Sequence, residues 1–471
     1  MNITSRVAGL LFLVGTALVV PAQQTTPPTP SVAAEDPADE IGKLKKNCPF
    51  HHFMGCAEVL FTGTPIHIAA GSIAPQNGVG VGLAYVGHKT TDNWRISWNS
   101  DAVTSPNASW RAGLYVKFVD TRQPEFEIQK GTANATSPDT ELPEQPTINV
   151  YVQATSLNKL TYFGLGPETL ENARSFYGMT ETIVGANGIT RTYSGAHLSL
   201  YGELNGRWVA IRPRHGESSP SIGQLYTETT APGLATQPFS LQPGAGFRFH
   251  PSSRDNRFHL NYDVGYRPYF AVSDSHYSFQ RLSAILGHDI SLYKTVVRLE
   301  APRPNTGPDE CYLDVTVDNP SCPKVTTRNL EGSIGLTLYS NLSFSAQHDV
   351  VPFFFQPTLG GSDIHGDAYL PSYQDYRFRA PNLLLLRESF EHSIGKYPVG
   401  LVLWADQGTL AVARTDLTEH WRHSFAAGLT LRAGGFPQVY VLFSWGGQEG
   451  THTTVHLNNT LLGGSTRPSL F

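Results

Sequence analysis

The stretch His259-Leu-Asn-Tyr-Asp-Val-Gly-Tyr-Arg267 alternates apolar and polar side chains along its length. Successive side chains of a strand point to opposite faces, so this stretch predicts a strand with one apolar and one polar face. The apolar face carries Leu260, Tyr262, Val264 and Tyr266. In a soluble sandwich that face would be a core, whereas in an outer-membrane barrel it would meet lipid while the polar face lined the lumen.

The same alternation recurs between residues 78 and 462, and this repetition favours the barrel. Further alternating segments lie at 79–85, 94–98, 110–118, 148–152, 245–249, 334–338, 399–403, 425–431, 439–445 and 455–457. About 390 residues at roughly 25 per strand and loop give about 16 strands, and such barrels favour even numbers. We therefore predict an all-β fold, a transmembrane antiparallel β-barrel of about 16 strands over residues 77–471.

The N-terminal segment predicts export. Arg6 precedes the apolar run Val7 to Val19 and the small residues up to Ala22, which together are typical of a secretory signal peptide over residues 1–22. The Pro- and Thr-rich residues 23–40 predict a disordered tether. Residues 41–76 are expected to form a short periplasmic or plug segment. Integral residence in the bacterial outer membrane would then come from strands alone.

Composition and cysteine spacing narrow the class further. Charged residues make up 15% of the chain and the net charge is −5 without basic blocks, so no nucleic-acid partner is expected. The four cysteines form two local pairs, Cys48 with Cys56 and Cys311 with Cys322. In an oxidising compartment these predict two short-loop disulfides, the second pinning a long loop on the outer surface. The spacing fits a zinc site poorly, so we expect no metal.

Catalytic motifs are not found in the sequence. There is no Gly-x-Ser-x-Gly, no His-Glu-x-x-His and no phosphate loop. A surface enzyme whose residues converge only in space stays formally open, because the chain has 17 histidines. We expect no enzyme activity and no cofactor.

Three segments near the C-terminus carry a family resemblance. They are Pro357-Thr-Leu-Gly-Gly361 to Leu370-Pro-Ser-Tyr373-Gln-Asp-Tyr-Arg-Phe-Arg379, Leu383-Leu-Leu-Leu-Arg-Glu388, and Trp404-Ala-Asp406-Gln-Gly408. In order and spacing they resemble the lid loop and the two following strand motifs of the BamA/TamA family, the bacterial surface antigen type of barrel. Members of this family assemble or translocate other proteins at the outer membrane. The chain resembles a member without the periplasmic repeat domains (POTRA).

The resemblance implies a lid inside the lumen and a set of gating residues: Gly360, Gly361, Tyr373, Arg377, Arg379, Glu388, Trp404, Asp406 and Gly408. In the family an arginine of the lid pairs with the motif aspartate, but Pro371-Ser372 stands where that Arg-Gly is expected. Alternation places Asp406 and Trp404 on the face opposite Leu401 and Leu403, which would be the lumen side. We therefore expect Arg377 or Arg379 to supply the counter-charge for Asp406.

The resemblance also implies a function, which is to assist the insertion or translocation of proteins or lipids at the bacterial outer membrane. Lateral opening of the seam between the first and last strands would expose strand edges to an incoming strand. Expected partners are outer-membrane lipids, client outer-membrane or secreted proteins, and a separate periplasmic partner that supplies the missing domains. The C-terminal Phe471 is typical of barrels recognised for insertion. The alternative is a passive channel or structural barrel without insertase activity.

Overall fold

The computed structural model describes residues 65–122, 146–193, 197–214, 220–253, 257–299, 324–395, 399–433, 436–447 and 449–457. The signal peptide, the tether and Phe471 lie outside these residues, so those expectations stay predictions. Among the described residues no helix has the length and apolar composition needed to cross a bilayer.

The two predicted disulfides are not shown by the structure. Cys48 and Cys56, the first pair, lie before residue 65, where the described part of the chain begins. Cys311 and Cys322, the second pair, lie between the described ranges that end at residue 299 and begin at residue 324. Both pairings therefore stay predictions, and so does the position of the second disulfide on the outer surface.

Sixteen strands form one antiparallel sheet in the order of the sequence, with a two-stranded hairpin (β12–β13) apart from it. The strands are β1 (Ile66–Ser72), β2 (Val79–Thr90), β3 (Trp94–Thr104), β4 (Trp110–Asp120), β5 (Thr147–Tyr162), β6 (Ser175–Tyr193), β7 (Leu198–Pro213), β8 (Ser240–Phe249), β9 (Phe258–Ala271), β10 (Phe279–Leu299), β11 (Lys324–Phe344), β12 (Thr358–Leu359), β13 (Phe378–Arg379), β14 (Asn382–Ser393), β15 (Val399–Ala411), β16 (Arg422–Ala433), β17 (Phe436–Gly447) and β18 (Gly450–Leu457). One short helix, α1 (Ile222–Leu225), lies between β7 and β8. The prediction of an all-β antiparallel barrel fold of about 16 strands is confirmed.

The two faces of the sheet differ as the alternation predicts. On β15, Leu401 and Leu403 are 38% and 42% exposed, whereas Val402 and Asp406 are each 1% exposed. Large apolar side chains are exposed on the outward face of most other strands as well, including Val81, Leu114, Val150, Leu204, Phe270, Ile334, Leu429 and Phe443. Apolar surface this extensive marks a surface that contacts another apolar phase.

The first strand begins earlier than expected. Residues 66–72 pair with β2, from Ile66 opposite Tyr85 to Ser72 opposite Val79. The sheet therefore starts at Ile66, inside the range 41–76 that we had assigned to a periplasmic or plug segment. The short run Ile66-His-Ile-Ala-Ala-Gly-Ser72 has little alternation, because Ala69, Ala70 and Gly71 carry almost no side chain.

Loops fill the interior at one end of the sheet, which we call the lid end. The connections between β5 and β6, β7 and β8, and β11 and β14 all leave the sheet there, since the strands are antiparallel and sequential. Phe353 of the last connection packs edge-on against Tyr162 and Tyr177 of the wall, with ring centres 5.2 and 5.3 Å apart. Ile222 of α1 joins the same buried cluster. The lumen at the lid end is thus a packed interior.

The strand order runs from β1 to β18, and within the described residues no ladder joins these two strands. We call the boundary between them the seam. β1 and β18 are each held to the sheet by seven residue pairs, whereas β10 and β11 share twenty. Each strand beside the seam is therefore held by a single short ladder, while the other strands of the sheet have a neighbour on both sides.

Candidate functional site

The lid segment comprises residues 358–379, within the connection between β11 and β14. It starts and ends in the β12–β13 hairpin, where Thr358 pairs with Arg379 and Leu359 with Phe378. Leu359, Leu370 and Phe378 are each at most 1% exposed and form one cluster with Leu383, Leu385 and Leu410 of the wall. The segment is therefore folded onto the inside of β14 and β15.

The two predicted glycines of the lid allow its backbone to turn back on itself. Gly360 and Gly361 have φ of +98° and +62°, a region that disfavours side chains. A Cβ on Gly361 would lie 2.5 Å from the backbone nitrogen of Asp375, and one on Gly360 would lie 2.5 Å from Cβ of Arg377. Both positions thus require glycine for conformation and for space.

Asp406 anchors the lid to the wall, but its partner is not the one we expected. Its carboxylate accepts hydrogen bonds from Nε and Nη2 of Arg387, each at 2.7 Å, and from the backbone N–H of Leu370 at 3.0 Å. Arg387 also donates to the carbonyl of Ala368. The expectation that Arg377 or Arg379 would balance Asp406 is wrong, because Arg387 faces Asp406 directly across the β14–β15 ladder.

Two more predicted residues lie on the same wall. Trp404 faces inward, and the Arg387 guanidinium stacks over its ring at 4.3 Å from the ring centre. Gly408 leaves space for the lid, because a Cβ there would lie 3.3 Å from the Leu359 side chain. The lid backbone is held again at Ser372, whose N–H donates to Ser424 Oγ at 2.9 Å.

Glu388 does not lie in the lumen. It is exposed on the outer face of β14, since its neighbour Arg387 points inward and side chains alternate along a strand. It lines a shallow apolar groove of the outer surface together with Leu403 and Trp445. The expectation that Glu388 lies in the lumen beside the lid and gates it is therefore wrong, because the side chain lies on the outer face.

The lid contacts the hairpin on one side of the seam through Arg377. Its Nε lies 2.5 Å from Oε1 of Glu449, in the turn between β17 and β18, and both side chains are less than 10% exposed. Arg377 also donates from Nη1 and Nη2 to the hydroxyl and carbonyl of Thr169, at 2.8 and 2.7 Å. Tyr373 is buried nearby and packs on Phe378.

The lid contacts the hairpin on the other side of the seam through Asp375 and Tyr376. The Tyr376 hydroxyl donates to the carbonyl of Pro75, between β1 and β2, at 3.1 Å. The Asp375 carboxylate accepts from the N–H of Ser362 at 2.9 Å. Burial raises the pKa of the Asp375 carboxyl, while the hydrogen bond from Ser362, the nearby His452 of β18 and a hydrogen bond from the Gln76 side chain, in the turn between β1 and β2, oppose the rise. Adjacent lid residues thus contact both sides of the seam.

Arg379, the remaining predicted residue, points to the centre of the packed lumen. It is 5% exposed and donates to the carbonyl of Phe353 at 2.7 Å and to the hydroxyl of Tyr177 at 3.3 Å. The structure therefore brings Gly360, Gly361, Tyr373, Arg377, Arg379, Trp404, Asp406 and Gly408 together in or beside the lid, and leaves Glu388 outside.

Sequence reasoning missed Arg387 and Glu449. Arg387 could have been found, because a tight β14–β15 hairpin fixes which residues face each other. Glu449 could not, since its contact with Arg377 depends on how a long connection folds back into the lumen.

Comparisons with known proteins find likenesses only at the level of structure. No protein-family model matches the chain. No curated protein matches it. Among solved structures the chain is similar to CdiB from Acinetobacter baumannii (12% identity, 83% of this chain and 59% of that chain, TM-score 0.42). It is also similar to BamA from Haemophilus ducreyi lacking POTRA domains 1–3 (8% identity, 84% of this chain and 69% of that chain, TM-score 0.44). A third similar structure is CdiB from Escherichia coli (12% identity, 81% of this chain and 58% of that chain, TM-score 0.39).

The chain spans less than two thirds of the length of either CdiB chain. All three TM-scores lie below 0.5.

Proposed function

We propose that this chain is an integral outer-membrane barrel that helps other proteins insert into or cross the membrane by opening its seam. The observation that carries the proposal is the arrangement around β1 and β18. No ladder joins these strands within the described residues, and the lid contacts the hairpins on both sides. A seam held through a lid can open when the lid moves.

The membrane location is supported by the outer face of the sheet. Strands must satisfy their backbone groups with one another to lie in lipid, and a sequential antiparallel sheet does so everywhere except at its two ends. β2, β3 and β4 have 12, 11 and 11 residues, close to the length that crosses a bilayer when tilted. Trp110, Trp208 and Trp445 are among the exposed aromatics of the outer surface.

The mechanism is strand addition at the seam. An unpaired strand edge offers N–H and C=O groups to an extended segment of another chain. Within the described residues, β1 and β18 each have one edge without a ladder partner, and we expect their single short ladders to make them the strands easiest to displace. A client strand could pair there and then leave laterally into the membrane.

The lid would control access to those edges. Its Arg377 and Tyr376 contacts tie the two hairpins to one segment, and the Asp406–Arg387 pair fixes that segment to the wall at β14 and β15. Client outer-membrane or secreted proteins would be the partners, surrounded by outer-membrane lipids. A separate periplasmic protein would supply capture domains. The proposed function involves no catalysis, cofactor or nucleic acid.

The test is to delete or deplete the protein and to quantify the outer-membrane proteome and lipid asymmetry. We expect selective loss of a few barrels or secreted proteins, restored by the wild-type gene. An unchanged membrane would contradict the proposal.

A lumen cavity of about 500 Å³ favours a second candidate, a channel. A channel predicts conductance by the purified barrel in planar bilayers and no effect of deletion on other barrels.

A further inference from the structure

Five arginines line the lumen cavity: Arg207, Arg267, Arg281, Arg379 and Arg387. Three of them are paired with carboxylates: Arg207 with Glu181, Arg267 with Glu203, and Arg387 with Asp406. The other two, Arg281 and Arg379, have no carboxylate partner among the residues that the structure describes. Buried charges in proteins are normally paired, because leaving water without a counter-charge costs several kcal/mol.

Arg281 is held by a carbonyl and two rings. Its Nη2 donates to the carbonyl of Phe355 at 2.7 Å. Its guanidinium carbon lies 5.2 and 5.7 Å from the ring centres of Phe279 and Tyr269. Its Nε is buried and, within the described part of the chain, has no hydrogen-bond partner. These contacts fix the guanidinium in place but leave its charge unbalanced.

Arg379 repeats the same arrangement a short distance away. It donates to the carbonyl of Phe353, stacks over the rings of Phe353 and Tyr162, and keeps a buried Nε without a partner among the described residues. Phe353 and Phe355 begin and end one short 3-10 turn. The two arginines are therefore anchored to the two ends of a single turn at the cavity wall.

The cavity is lined by strands β6 to β11, by β14, β15 and β17, and by the tip of the lid, and its volume suits a small molecule. The lid contributes Asp363, whose carboxylate accepts from the N–H groups of His365 and Asp367 at 2.8 and 2.9 Å. This aspartate is thus engaged in its own turn. Asp367 of the lid also lines the cavity, but among the described residues neither aspartate forms an ion pair with Arg281 or Arg379.

We propose that the cavity binds a small phosphate-type oxyanion between Arg281 and Arg379. A guanidinium presents parallel N–H donors that match the oxygens of such an anion, and charge-assisted hydrogen bonds of this kind are the strong ones. The anion would supply the counter-charge that Arg281 and Arg379 lack. Because the site lies under the lid, its occupancy would also hold the Phe353–Phe355 turn and the base of the lid together. This site does not depend on the proposed assembly function.

The test uses the full chain purified in detergent, with thermal unfolding followed in inorganic phosphate or pyrophosphate and in chloride of equal ionic strength. We expect a saturable rise of the midpoint with phosphate that chloride does not give. In Arg281→Gln and Arg379→Gln the apparent affinity should fall about tenfold or more, the typical worth of a hydrogen bond to a charged group. In Arg281→Lys, which keeps the charge but loses the parallel N–H donors of the guanidinium, the apparent affinity for phosphate should fall less.

Arg414→Gln is the matched control. Arg414 also donates to a carbonyl, that of Ser343, and stacks on a phenylalanine ring, that of Phe344, but it is exposed and outside the cavity. It should leave the phosphate response unchanged. The proposal is overturned if phosphate and pyrophosphate give no more stabilisation than chloride, or if Arg281→Gln and Arg379→Gln respond to phosphate like the wild type. Heat-modifiable gel mobility verifies that each variant is folded.

Discussion

The lid is held by two unlike attachments, one to the wall of β14 to β16 and one to the seam. At the wall, the buried Asp406 accepts three hydrogen bonds, and an apolar cluster surrounds the contact. At the seam, Arg377 forms an ion pair with Glu449, the Tyr376 hydroxyl donates to the carbonyl of Pro75, and the Tyr376 ring is buried in an apolar cluster with Ile73 and Ala74. Because the seam attachment is divided between two separate hairpins, we propose that the wall attachment is the fixed root of the lid and that the seam attachment is the part that releases.

The largest effect is expected from Asp406→Ala, which breaks the root. Removing the carboxylate leaves Arg387 buried without its partner, and breaking a buried pair costs about 3–5 kcal/mol. Protein assembly should be lost, and the urea midpoint of the folded barrel should fall. Glu388→Ala is the matched control, since it removes a carboxylate one residue from Arg387 but on the outer face. Equal effects of the two substitutions would contradict the claim that Asp406 fixes the lid to the wall.

A smaller effect is expected from Gly361→Ala, and Gly395→Ala separates its two causes. Both glycines have nearly the same positive φ, +62° and +64°, so both variants carry the left-handed strain of about 1–2 kcal/mol. Only at Gly361 would the added Cβ also lie against the backbone of Asp375, whereas at Gly395 no atom lies within 4 Å of the added Cβ. Overpacking adds about 1–3 kcal/mol at Gly361. Denaturant midpoints measure the difference, and identical midpoints would refute the tight packing of the lid.

Glu449→Gln sharpens the comparison at the seam. The amide keeps the size and an acceptor for Arg377 but removes the charge. We therefore expect the free energy of unfolding to fall by about 1–2 kcal/mol. The lid should become accessible to cysteine labelling near Tyr376 before the barrel unfolds. Asp120→Asn removes the charge from an exposed pair with Arg122 and should change nothing measurable. Labelling that rises only with global unfolding would argue against a releasable seam contact.

The smallest effect is a pH dependence set by Asp375. Its pKa is raised in the folded state, so the folded lid holds this proton more tightly than the unfolded chain does. Stability from this group is therefore greatest at acid pH and falls as pH rises from the ordinary aspartate range, about 3.9, through the raised pKa. Asp375→Asn should flatten that part of the profile of lid accessibility against pH. A profile unchanged by the substitution would contradict the assignment.

Alternation in the sequence was enough to predict the sheet and the inward side of β15, because Leu401, Leu403 and Asp406 differ so clearly in polarity. It failed at β6, where Thr182, Val184 and Ala186 face outward without a continuous apolar pattern. It also failed at Glu388, which we placed by motif instead of by counting from Arg387. The Arg377 contact joins residues 72 positions apart, and no local pattern carries such information.

The most direct test of seam opening is to lock it. Cysteine pairs stepped along β1 and β18, introduced one pair at a time, would identify positions that cross-link across the seam in the folded barrel. A locked pair is then assayed for assembly of other outer-membrane proteins, with and without reductant. We predict that the locked barrel is folded but inactive and that reductant restores its activity. Wild-type assembly by a fully locked barrel would contradict opening of the seam.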